Sequence, residues 1–296
     1  MTTAQFTSPF DSDTDANFRA WGSEISTQLA AVGLTQTADT GQIDWTTASI
    51  SGYPGSVGYE IWRFNDSLQG TTPIFVRIDY GATGAEAPYM AITVGTGSNG
   101  AGTINGATKS NLQNIAVASS PVASIAYPSW ICYNPALGFL GVALKLGINS
   151  NSEWGIGFLI NRTADTSGAP TADGFNTWCL NQIGQSMYGQ FQNPGQVIRL
   201  PTDGSFVAVN TTGWPMGLPS SFAGGNTQAV PLFQLQPAIQ VAANMCMVIR
   251  NEVPNGTTFS LNIVGLTPRT FVSISNALGY TAAQNTGTYG LAMLYQ

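Results

Sequence analysis

The chain contains no histidine and only two lysines, Lys109 and Lys145, among its 296 residues. Without histidine there is no Ser-His-Asp or Cys-His nucleophilic centre, and a zinc site could not use imidazole. Acid–base chemistry would fall to paired carboxylates, as in glycoside cleavage. The fifteen Asp and Glu offer many pairs, and their spacing selects none. Charged residues make up 8%, about a third of the roughly 25% usual in soluble domains. The basic residues lie singly along the chain and the net charge is −6. That pattern argues against sequence-independent nucleic-acid binding, which needs clustered cations to displace counterions. Cysteine is scarce too. Cys132, Cys179 and Cys246 form no CxxC and read as buried free thiols of a protein made in a reducing cytosol. The longest apolar run, 136–148, is broken by Lys145 and falls short of the about 20 residues that span a bilayer. No membrane insertion is expected. The polar, acidic opening MTTAQFTSPFDSDTD does not read as a signal peptide.

Hydrophobic residues reach 43%, so the chain has the means to build a core. Residues 12–33 are predicted as a helix. Ser12 and Asp15 are spaced as a capping box, Phe18, Trp21, Ile25, Leu29 and Val32 form one stripe, and Gly33 is the stop. Leu34 to Ile50 reads as a β-hairpin around Ala38–Gly41. The runs GYEIWRF, PIFVRIDY and PYMAITV, within Tyr59 to Val94, alternate with period two between Gly- and Asn-rich breaks. They predict an antiparallel meander on which the helix docks.

Residues 96–106 are a Gly-rich loop or linker, the expected boundary between an N-terminal helix-plus-meander domain (1–95) and a second domain (107–296). Beyond it, strands are predicted at 139–148, 154–162, 174–182, 195–200, 205–210, 229–235, 244–251, 257–264, 269–275 and 288–295. The fold class is therefore mainly β: an N-terminal amphipathic helix packed on an antiparallel meander, followed by a β-sandwich or jelly-roll-like region.

Two motifs fail on inspection. Gly95–Gly100 fits G-x-G-x-x-G, yet no helix pattern opens there and no acid stands between Glu86 and Glu153 to hold a ribose, so it reads as a turn. Asp11, Asp13 and Asp15 begin like a calcium loop. Ala16 and Gly22 occupy the positions where that loop needs Gly and Glu, so helix capping is the simpler reading. No cofactor, metal or catalytic residue is expected. The stretch 87–152 holds only Lys109 and Lys145 as charges while carrying Tyr127, Trp130, Tyr133 and Phe139, so it is expected to be core or subunit interface. Tyr127, Trp130 and Tyr133, with Trp214 in a turn-rich segment, are the candidate interface or surface-binding residues.

Several words between Phe18 and Ile104 carry a family resemblance. They are Phe18-Arg19-Ala20-Trp21-Gly22, Gln36 to Trp45 (QTADTGQIDW), Gly58 to Asp66 (GYEIWRFND), Pro73 to Gly81 (PIFVRIDYG) and Ile92 to Gly97 (ITVGTG). A second echo is Phe158 to Thr163 (FLINRT). In these words the chain resembles virion structural proteins of tailed bacteriophages. The resemblance implies a non-enzymatic virion protein, assembled in the bacterial host cytoplasm and placed in the tail–baseplate region. Its partners would be copies of itself and other virion proteins. Placement at the neck or collar, or as a capsid-decorating head fibre, is the structural alternative. A carbohydrate-binding or polysaccharide-degrading tail protein, with a host surface glycan as partner, is the alternative from another class.

Overall fold

The computed structural model describes residues 1–7, 10, 12–51, 55–84, 87–106, 113–116, 128–149, 152–164, 170–181, 196–199, 206–208, 230–231, 234–236, 239–241, 244–249, 253, 256–261, 268–274 and 289–295. The chain opens with β1 (Thr2–Phe6) and the helix α1 (Asp15–Ala31), followed by β2 (Thr35–Gln36), β3 (Gly55–Arg63), β4 (Phe75–Gly84) and β5 (Ala87–Gly95). Two short strands, β6 (Gly97–Ser98) and β7 (Ile104–Asn105), precede β8 (Gln113–Ala116), β9 (Ser129–Asn134), β10 (Phe139–Asn149), β11 (Ser152–Ala164) and β12 (Pro170–Asn181). After these come β13 (Gln196–Arg199), β14 (Phe206–Ala208), β15 (Val230–Pro231), β16 (Gln234–Gln236) and β17 (Ile239–Val241). The last four are β18 (Met245–Ile249), β19 (Thr258–Leu261), β20 (Arg269–Ser273) and β21 (Tyr289–Leu294). Among the described residues the protein is mainly β, with one helix near its N-terminus, as the periodicity predicts.

The described strands form three principal sheets. The meander is the middle of a five-stranded sheet, β2-β3-β4-β5-β8. A nine-stranded sheet runs β1-β9-β10-β11-β12-β13-β14, with β17 joining β11 and β16 joining β17. A second five-stranded sheet runs β15-β18-β21-β20-β19. The nine-stranded sheet is central, because alternate residues of its strands enter two different cores. Ile131, Tyr133, Leu140, Val142, Leu144, Ile156, Phe158 and Ile160 share one cluster with the helix stripe and with Trp62, Val76, Ile78 and Tyr80 of the meander. Trp130, Cys132, Phe139, Ala143 and Leu159 share the other with Met245, Cys246, Phe271 and Leu291–Leu294. Strands covered on both faces need apolar residues at every position, not every second one. That explains a charge-poor stretch such as 129–145: apart from residues 134–137 around the turn, it is core within one chain.

The helix stripe is buried as predicted, with Phe18, Trp21, Ile25, Leu29 and Val32 at 0–2% exposure. Trp21 meets Phe10 and Tyr80 edge to face at 5.3 and 6.0 Å between centroids, a favoured arrangement of ring quadrupoles. A Cβ on Gly22 would overlap the Trp45 ring. Gly33, at φ 108°, ends the helix in the left-handed conformation that glycine tolerates.

Three expectations need correction. The helix starts at Asp15 rather than residue 12. Thr14 is the N-cap and accepts from the Asn17 amide at 3.2 Å, while the Asp15 carboxylate accepts from the Ile50 amide and the Ser49 hydroxyl. Residues 34–50 form no hairpin. Only Thr35 and Gln36 pair, with Arg63 and Trp62 of β3. Side chains then compete with the ladder: Gln42 donates to the Thr37 carbonyl and accepts from the Ile61 amide, both at 2.7 Å. Finally, the core does not divide at 96–106. The strand β1 pairs with β9 of the central sheet, and one hydrophobic cluster takes in residues from both sides of the glycine-rich segment.

Candidate functional site

The two faces of the meander do different work. Val76, Ile78 and Tyr80 of β4 point into the core, which sends Phe75, Arg77 and Asp79 to the opposite, outer face. There, register places Arg77 opposite Thr93, Asp79 opposite Ala91 and Gly81 opposite Tyr89. The Cβ side of Gly81 is filled by the Gly55 carbonyl, whereas Ala91, small between Tyr89 and Thr93 on β5, leaves a hollow on this face. The segment Gly102–Ile104 forms its wall and Ser56 of β3 its end, giving an open cleft of about 390 Å³.

Arg77 is the fixed point of this cleft. Its Nε lies 3.0 Å from Asp79 Oδ2, its Nη2 2.6 Å from Oδ1, and its Nη1 donates to the Gly102 carbonyl at 2.6 Å. The guanidinium also lies over the Tyr59 ring, 4.0 Å from the centroid, a cation–π contact. A fork-on-fork pair of this kind is geometrically specific. Three of the five guanidinium N–H groups are accounted for by Asp79 and Gly102, and Asp79 Oδ2 accepts from Arg77 Nε. Tyr89, half-buried across the hollow, has its phenol pKa raised by burial and by the nearby Asp79 carboxylate.

Asp39 holds the wall. Its carboxylate accepts from the Ser98 hydroxyl, the Thr37 hydroxyl (2.6 Å) and the Gly102 amide (3.1 Å). Burial works to raise its pKa, but those hydrogen bonds, with the Gly100 amide, outweigh it and hold the group below the ordinary carboxylate value. Gly102 sits at φ 90°, and a Cβ there would strike the Tyr59 ring. The segment expected as a loop or linker is thus docked on the sheet.

Deeper in, Glu60 accepts from three rings: Trp45 Nε1 at 2.8 Å, Trp62 Nε1 at 3.1 Å and the Tyr80 hydroxyl at 3.0 Å. Tyr80 is fully buried, and burial followed by the Glu60 charge pushes its pKa well up. The β3–β4 turn is fastened to the central sheet by a bidentate pair between Asp66 and Arg162 of β11 at 2.5 and 2.9 Å, both side chains nearly inaccessible.

The residues singled out from sequence fall elsewhere. Trp130 and Tyr133, expected at an interface or surface, are core residues at 1% and 2% exposure, because β9 lies between β1 and β10 with both faces covered. The Tyr133 hydroxyl accepts from the Asn65 amide at 2.7 Å, and burial pushes its pKa up to about 12. Tyr127, Trp214 and Asp11 lie outside the described residues. Among the described residues no three His, Cys, Asp or Glu side chains come together as a metal site, and no helix is long and apolar enough to cross a membrane. The three cysteines are buried and free, and burial pushes the Cys132 pKa up to about 12. Gly95–Gly100 leads into a turn in which Asn99 Oδ1 accepts from the Ala101 and Thr103 amides.

Sequence reasoning missed Arg77, Asp79 and Tyr89 as a group. The available signal was a charged pair at i and i+2 inside an otherwise apolar strand. Comparisons with protein-family models, with curated proteins and with solved structures find no match to this chain.

Proposed function

We propose that the chain is a non-catalytic structural component of a tailed-phage particle, placed in the tail–baseplate region, working by self-association and by docking on other virion proteins. What supports this reading is where the residues of the phage-like words fall. Trp21 and Gly22 seat the helix against Tyr80 and Trp45. Asp39 and Gln42 fasten the segments beside the meander. Glu60 collects three ring donors, and Asp66 and Arg162 join two layers. The phage-like words therefore encode fasteners of a scaffold, and a scaffold's product is its surface.

That surface is poorer in charge than the composition suggests. Of nine basic and fifteen acidic side chains, at least seven (Asp39, Glu60, Asp66, Asp79, Lys145, Arg162 and Arg269) are buried. Neutral polar surface is less costly to desolvate than charge, which suits contact with neighbouring subunits.

The test is to image intact particles carrying an epitope tag on this chain. Tag density at the tail or baseplate is the expected result. A chain that is absent from purified particles, though made during infection, would refute the reading. Density at the neck or on the capsid would overturn the tail placement alone.

A further inference from the structure

We propose that the outer cleft of the meander is a binding site for a neutral, polyhydroxylated ligand, a hexose-sized sugar unit. The inference is independent of where the chain sits in a particle. Charge comes first. Arg77 and Asp79 neutralise each other, and no other charged side chain among the described residues lines the cleft. An anion placed there would meet Asp79, and a cation would meet Arg77. Neither gains a net attraction, so the site selects for a neutral molecule.

The hydrogen-bonding pattern comes second. Two guanidinium N–H groups of Arg77 are not taken by Asp79 or Gly102, and the hydroxyl-bearing Ser56, Thr93 and Thr103 also line the cleft. N–H donors and hydroxyls on one lining suit the vicinal hydroxyls of a sugar, each of which donates and accepts. Shape comes third. Ala91 and Ile104, both largely buried, form an apolar floor, and half-buried Tyr89 offers ring surface against which the C–H face of a pyranose can lie. The volume lies within the range of small-molecule sites, roughly 300–1,000 Å³. The key side chain is also held in advance: Arg77 is stacked on Tyr59 and tied to Asp79 and Gly102, so little rotamer freedom remains to be lost on binding.

The experiment is saturation-transfer NMR on the full chain with D-glucose, D-galactose and N-acetyl-D-glucosamine as probes, and glucose 6-phosphate and glucosamine as charged comparators. Transfer to at least one neutral sugar is expected, with Kd on the order of 1 mM. Thr103 is exposed on the wall, so Thr103→Trp should leave the unfolding temperature unchanged while blocking the cleft and weakening binding at least about tenfold. Should that variant misfold, Tyr89→Ala is expected to give the same loss. No transfer to any of the three neutral sugars would overturn the proposal. So would binding unchanged in a folded variant, or a charged comparator binding about tenfold tighter than its neutral parent.

Discussion

The central sheet is fastened on its two faces by different chemistry, and both fastenings start from neighbouring residues of β11. Arg162 reaches one way, into a buried bidentate ion pair with Asp66 of the helix–meander layer. Asn161 reaches the other way. Its side-chain carbonyl accepts from Asn244, and Asn244 in turn accepts from Arg269 of β20 at 2.9 Å. Successive strand residues face opposite sides, so one dipeptide joins three layers. The N-terminal joint is charge on charge, whereas the C-terminal joint passes through two neutral amides before it reaches the Arg269 guanidinium. A buried ion pair fixes register strongly but leaves a large unpaired charge if one partner is lost. Loss of the Asn244 side chain removes one hydrogen-bond partner from Asn161 and one from the Arg269 guanidinium but strands no carboxylate, so its cost is smaller.

Cutting the two joints should therefore separate them by size. Arg162→Ala leaves Asp66 buried without its cation and is expected to cost about 3–5 kcal/mol, read from denaturant unfolding. A loss below about 1 kcal/mol would mean that Asp66 finds water instead. Trp21→Ala acts on the same layer without touching charge, and the cavity it leaves should also cost about 3–5 kcal/mol. Together the two variants show whether packing and pairing carry similar weight there. On the opposite face Asn244→Ala should cost about 1–3 kcal/mol. Equality with Arg162→Ala would erase the contrast between the joints.

How much of this was readable beforehand depends on what periodicity can report. A stripe such as Phe18–Val32 or an alternation such as Ile74–Tyr80 declares which face is apolar, and those elements are where the sequence puts them. The strand SWICYN gives no such signal. Both of its faces are buried, so no polar alternation marks it, and its aromatics read as an interface instead of a core. The segment 34–50 misleads for another reason: its Asp, Thr and Gln side chains make local and cross-strand hydrogen bonds that replace a ladder. The cleft is the least readable part. Arg77 and Asp79 stand out on β4, but the wall from Gly102 to Ile104 arrives through Asp39, 63 residues away from Gly102, and spacing does not reveal that closure.

The smallest effect concerns that wall. The Asp39 pKa is lowered in the folded chain, so the carboxylate stabilises the docked loop above its unfolded value of about 3.9. That contribution is lost as pH falls through the lower folded value. Exchange protection of the Gly102 amide should decline over this acid range before global unfolding. In Asp39→Asn it should be reduced already at neutral pH, with a flat acid profile.

The claim on which everything else rests is that the helix–meander layer and the central sheet are one cooperative unit. Hydrogen exchange read by mass spectrometry tests it on the full chain. Peptides covering β4 and β10 should open with the same free energy, and Arg162→Ala should lower both by the same amount. A meander that exchanges earlier than β10, or that alone responds to Arg162→Ala, would show two independent units and contradict the account.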